Sequence, residues 1–126
     1  MQRLLNLIRT YWSACTLFTL TAITVLSLSP LEELPPVPGG DKTHHLIAYA
    51  LLAFPAALRR PQHWQIFCLL FIAYGGAIEL IQPYVNRYGE WLDFAANSTG
   101  ILCGLLLAEL LIRRGFLPDY PDGNQL

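Results

Sequence analysis

From Tyr11 to Ser29 the chain carries no charged side chain, and that run restricts the choice of fold more than any other feature. At 1.5 Å per residue a helix over such a run covers about 30 Å, the thickness of a bilayer's hydrocarbon core. Further apolar runs follow at Thr43 to Leu58, Trp64 to Gln82 and Asp93 to Ile112. The expected fold class is therefore all-α, a membrane bundle of four transmembrane helices over 11–29, 43–58, 64–82 and 93–112. Composition agrees: 13% of residues are charged and 54% apolar, whereas soluble chains carry about 25% charged residues. Residues 1–114 read as a single domain and 115–126 as a loosely ordered cytoplasmic tail.

The connections follow from local chemistry. Ser27-x-Ser29 resembles a signal-peptide cleavage site, but Pro30 directly after it argues for a retained first helix. Pro30 to Gly40 is too rich in proline and glycine for regular helix. Asp41 sits at the N-cap of the second helix. Arg59-Arg60-Pro61-Gln62-His63 is a compact basic turn, and Trp64 opens the third helix at the interface. Pro83 ends that helix. Tyr84 to Leu92 is a short aromatic loop, and Asp93 caps the fourth helix. Cys15, Cys68 and Cys103 all lie in apolar helical stretches, as buried small hydrophobes and not a disulfide framework or metal set.

Basic residues orient the bundle. Four spans put Arg3, Arg9, Arg59, Arg60, Arg113 and Arg114 on one side and only Lys42 and Arg87 on the other. The positive-inside rule makes the six-arginine side cytoplasmic, with both termini inside, in a cytoplasmic (inner) membrane. A net charge of −1 gives no electrostatic reason for a nucleic-acid partner.

Polar groups in these helices are the informative exception, because an ionisable side chain at membrane depth costs about 2.5–3.5 kcal/mol on insertion scales. Gly75, Glu79 and Gln82 share one helix face, and Asp93, Asn97, Gly100 and Gly104 form a stripe on the next helix. The glycines permit close helix approach, so these stripes face protein. Asp41, His45 and Tyr49 line a third stripe. Counting from the helix ends places His45, Glu79 and Asn97 at one level, about 6 Å deep, with Asp41, Gln82 and Asp93 around an outward-facing mouth. A plainer reading makes Asp41 and Asp93 simple N-caps, and Lys42 and Arg87 neutralising partners in a structural network. Glu109 and Arg113 form an ordinary i, i+4 pair.

Asp41-Lys42-x-x-His45-x-x-x-Tyr49, then Glu79-x-x-Gln82, Arg87, Asp93 and Asn97-x-x-Gly100, resemble the pattern of the VanZ-like family, named after an accessory membrane protein linked to teicoplanin resistance. The likeness covers Asp41 to Gly104; Leu46 departs from it, where an aromatic is expected in many relatives. It implies a small multi-pass bacterial membrane protein, with a link to glycopeptide antibiotic tolerance, and supplies no established reaction.

Three functions fit these residues. In the first, an outward-facing site binds or modifies an anionic envelope lipid or glycan precursor. Lys42 and Arg87 then hold the headgroup, while one of His45, Glu79 and Asp93, the candidate catalytic groups, acts as general acid or base. Asp41, Tyr49, Gln82 and Asn97 complete the binding set. No cofactor is expected, although His45 with Asp41, Glu79 or Asp93 is a competent donor set for a divalent metal. Whether any reaction occurs is left open, since the chain has no nucleophile elbow, phosphate-binding loop or HExxH motif. The second function is a non-enzymatic module that locks the bundle and offers its mouth to a partner or glycopeptide. The third is a small transporter component.

Overall fold

The apolar runs fold as helices with polar ends, and a computed structural model describes residues 1–29 and 40–117. Most of the proline-rich linker and the tail beyond Leu117 lie outside the described residues. Among the described residues there are five α-helices and no strand: α1 (Gln2–Thr10), α2 (Trp12–Leu28), α3 (Asp41–Arg59), α4 (Trp64–Ile81) and α5 (Trp91–Arg113). A 3₁₀ turn, Gln82–Val85, carries α4 past Pro83. Its first turn is where proline fits, because the missing N–H has no helical partner there.

Two helical segments, Trp64–Val85 and Trp91–Arg113, are long and apolar enough to cross a membrane. A third counts if α1 and α2 together form one span, but the two are bent by 78°. Residues 2–10 thus form a separate helix that the sequence did not announce, while α2 lies within the first helix expected over 11–29. The cause is amphipathicity. Leu5 and Ile8 pack beneath the bundle on Ala57, Leu58, Ala108 and Leu117, while Leu4 and Leu7 face outward. α3 is too polar at its start to pass as a span by composition, and its surroundings explain why. Asp41, Lys42 and Thr43 are exposed at the helix end, while His45, Tyr49, Leu52, Ala53, Ala56, Ala57 and Leu58 are buried against protein.

The helices alternate in direction. α2 and α4 run parallel, joined by Trp12 against Phe67, Tyr74 donating to the Leu20 carbonyl at 3.2 Å and Gln82 to the Ser27 carbonyl at 3.4 Å. α3 and α5 run parallel to each other and opposite to that pair. Glycine sets their separation. A Cβ on Gly104 would lie 2.5 Å from the Ala50 carbonyl oxygen, and one on Gly100 would overlap the Leu46 carbonyl. Between the pairs lies the core of Ile23, Tyr49, Leu52, Ala53, Ala56, Phe71 and Ile101.

This topology gathers Arg3, Arg9, Arg59, Arg60, Arg113 and Arg114 at one end, with Lys42 and Arg87 at the other. Glu109 ties the basic end together, pairing with Arg113 at 2.5 Å and also with Arg60. α5 stops in a Schellman turn: Gly115 has φ 73°, Phe116 N–H reaches the Leu111 carbonyl and Gly115 N–H that of Ile112. Leu117 is buried beyond it, so the first residues of the expected loose tail are docked. The cysteines are free, and none is fully buried; Cys103 is exposed. They stand on an apolar exterior that also exposes Leu69, Leu70, Leu80, Leu102, Leu106 and Leu107, an exterior suited to lipid.

Candidate functional site

The close α3–α5 crossing presses the start of one helix against the start of the other. Gly40 and Glu90 are the N-caps of α3 and α5, and neither makes a side-chain cap hydrogen bond. Asp41 and Asp93 therefore are not the caps that the sequence pointed to. Asp41 is the first residue of α3, and the Asp93 N–H bonds the Glu90 carbonyl at 3.0 Å. Both carboxylates are left free for contacts between helices.

One turn inside, three helices meet. Asn97 Nδ2 donates to Glu79 Oε1 at 3.2 Å, and His45 Nδ1 lies 2.9 Å from Asn97 Oδ1. His45 Nδ1 is also 3.7 Å from Glu79 Oε1. All three side chains are buried, so the structure brings together the level predicted for His45, Glu79 and Asn97. The chain of bonds has a direction. An amide that gives its NH₂ to Glu79 turns its oxygen to His45, so Nδ1 carries the proton and donates. In the neutral ring the lone pair then sits on Nε2, which is 3.8 Å from Asp41 Oδ1.

The second Glu79 oxygen is taken by the loop before α5. Glu90 N–H donates to Glu79 Oε2 at 3.2 Å. Asn86, in the left-handed region at φ 59°, reverses the chain. Gly89 then passes so close to the Glu79 carbonyl that a Cβ would overlap it. Lys42 completes the rim, 3.1 Å from Glu90 Oε2 and 3.4 Å from Asp93 Oδ1. The Asp93 side chain is 2% exposed, and its Oδ1 makes no hydrogen bond; the Lys42 contact is an ion pair without hydrogen-bond alignment.

Other members of the expected set lie elsewhere. Gln82 is buried but points to α2, donating to Ser27, and does not contribute a hydrogen bond to the mouth. Arg87 donates from Nη1 to the Ser29 carbonyl at 3.3 Å, so Lys42 and Arg87 take separate partners. Tyr49 is a core residue. Its ring covers Gly75, where a Cβ would meet it at 3.1 Å, and its hydroxyl is buried without a hydrogen bond. The sequence reading missed Glu90, which caps α5, holds Lys42 and closes over Glu79. Its signal was Gly89-Glu90 directly before a helix, a small residue where the backbone must pass closely.

Asp41, His45 and Asp93 each offer a ligand atom, and these atoms lie within 4.8 Å of one another. Glu79, the other carboxylate considered for a metal, has both oxygens occupied by Asn97 and Glu90. Tyr84, Tyr88 and Trp91 surround this end, each more than four-fifths exposed, in the manner of a membrane-interface belt. Comparison with protein-family models, curated proteins and solved structures returns no match to this chain.

Proposed function

We propose that the chain is a VanZ-like multi-pass protein of the bacterial cytoplasmic membrane whose polar cluster engages the anionic headgroup of an envelope lipid or glycan precursor. α2, α3, α4 and α5 are its four spans, and both termini are cytoplasmic, because the six arginines share one end of the bundle. α3 spans from His45 inward, and its exposed first residues, Asp41 to Thr43, stand at the headgroup level. The observation that carries the reading is the depth of the cluster: a hydrogen-bonded His45–Asn97–Glu79 chain opens through Asp93 and half-exposed Lys42 at the level of Tyr84, Tyr88 and Trp91. An ammonium at headgroup height suits a phosphate or carboxylate on a lipid. Through the family resemblance, the same site is the place where tolerance to teicoplanin would originate.

The test is photo-crosslinking of an anionic phospholipid analogue to the purified protein in nanodiscs. Lys42→Gln should cut labelling at this end severalfold with melting temperature nearly unchanged, and Asp93→Asn should remove any glycopeptide tolerance the protein confers. Unchanged labelling in Lys42→Gln would refute the headgroup role.

One observation favours a second reading, a non-enzymatic module. Lys42 already pairs with Glu90 and Asp93, and Arg87 already holds the Ser29 carbonyl, as in a network that locks helices together. Under that reading Arg87→Lys and Lys42→Gln lower the melting temperature enough to account for the whole phenotype.

A further inference from the structure

From the placement of three side chains we infer a divalent-metal site formed by Asp41, His45 and Asp93. Asp41 and His45 stand one turn apart on α3, the i, i+4 spacing by which a helix presents two ligands to one ion. Asp93 joins them from α5, with all three donor atoms within 4.8 Å of one another. Ligands at about 2.0–2.2 Å from an ion sit some 3.0–3.6 Å apart. His45 Nε2 and Asp41 Oδ1 are 3.8 Å apart, and the Asp41 side chain is 64% exposed, so a small rotation closes that gap.

Two independent observations lift the trio above a chance acidic group. The first is the tautomer of His45. Metal-ligating histidines donate their other N–H to a fixed oxygen, which orients the ring and raises its basicity. Here Nδ1 donates to Asn97, Asn97 is anchored by Glu79, and Nε2 faces the Asp41 carboxylate. The second is Asp93, whose side chain is 98% buried, with Oδ1 lacking any hydrogen bond. Its ion-pair partner, Lys42, is half-exposed and lies closer to Glu90. The ammonium can therefore stay on Glu90 while a dication takes Asp93.

The donor set names the class of ion. One imidazole with two carboxylates suits zinc, manganese or ferrous iron over an all-oxygen ion such as calcium. Three protein ligands leave a coordination position open, and the open side faces the headgroup level. An ion there would bring two positive charges to the mouth of the site. The inference does not depend on the headgroup reading, because metal binding needs no lipid.

The experiment is a Co²⁺ titration of the full-length, tag-free protein in detergent, followed by visible ligand-field absorption and by Zn²⁺ displacement. The expected result is saturation at one equivalent, loss of the bands in His45→Gln, and at least about tenfold weaker binding in Asp93→Asn and Asp41→Asn. His63→Gln, at the opposite end, should change nothing. Absence of bands in the wild type would overturn the site, as would bands that persist in Asp41→Asn and Asp93→Asn. Should Asp93→Asn fail to fold, exposed Asp41→Asn decides alone. Metal binding without lipid labelling refutes only the headgroup reading, and lipid labelling without metal binding refutes only the metal site.

Discussion

Replacing Gly100 by alanine tests whether the α3–α5 contact sets the geometry of the polar cluster. The new Cβ would lie 3.0 Å from the Leu46 carbonyl carbon and 3.1 Å from the Ala50 nitrogen, overlapping the Leu46 oxygen. Comfortable separations start near 3.5 Å, so the helices must part locally by about 0.5–1 Å. His45 and Asn97 meet one turn away at 2.9 Å, and that displacement carries them to or beyond the limit of a hydrogen bond. Overpacking costs about 1–3 kcal/mol and the lost bond about 0.5–1.5 kcal/mol. Better helix propensity returns about 1 kcal/mol. The net expectation is destabilisation of about 0.5–3.5 kcal/mol. Gly76→Ala is the control: it gains the same propensity but meets only the Phe94 ring at 3.4 Å, so it should be neutral or stabilising. Thermal melts in detergent compare the two variants, while ¹⁵N shifts of the His45 ring follow the bond to Asn97. A Gly100→Ala protein as stable as wild type, with an unshifted His45 resonance, would refute the coupling.

Asn97→Leu leaves His45 Nδ1 and Glu79 Oε1 buried without their shared partner; at about 1–3 kcal/mol for each orphaned group, the melting temperature should fall well below that of an exposed-site control such as Thr99→Leu. Glu109→Gln, by contrast, removes partly exposed ion pairs to Arg60 and Arg113, so chemical denaturation should register a loss of about 1 kcal/mol or less, smaller still in high salt. Alkaline phosphatase fusions placed after Gly40 and Gly89 should be active and one after Gly115 inactive; activity at Gly115 would reverse the proposed orientation.

Helical periodicity made part of the cluster legible in advance. His45, Glu79 and Asn97 sit a fixed number of residues from their helix ends, so counting gives their depth and the glycine stripe gives their direction. The same arithmetic failed for Tyr49. It shares a stripe with Asp41 and His45, yet one turn deeper the stripe meets α4 at Gly75, and the ring fills that space as core. Gln82 lies three residues beyond Glu79, on the edge of the face turned toward α2, where it binds a backbone carbonyl. Arg87 does likewise. Partners of that kind leave no mark in a sequence, because every residue carries a carbonyl. The caps went astray for a related reason: aspartate is a common N-cap, but here the loops place Gly40 and Glu90 at the boundary and leave the acids within the first turn of each helix. The bounds of α2 follow from its uncharged run, whereas α1 does not show in the sequence, because Arg3 and Arg9 make those residues read as a basic terminus.

The backbone contact at Gly100 and Gly104 also divides the bundle mechanically. α3 and α5 touch carbonyl to Cα, with no side chain between them to yield, and so form one stiff plank. Asp41, Lys42, His45, Asp93 and Asn97 all stand on that plank, and Glu79 alone reaches the cluster from α4. If α4 swings, it carries off one carboxylate and leaves the other polar groups in register. Glu79 is then the latch between two bodies, held by the Asn97 amide on the plank and the Glu90 N–H of the loop leading into it, and its release would free the amide that aims the histidine.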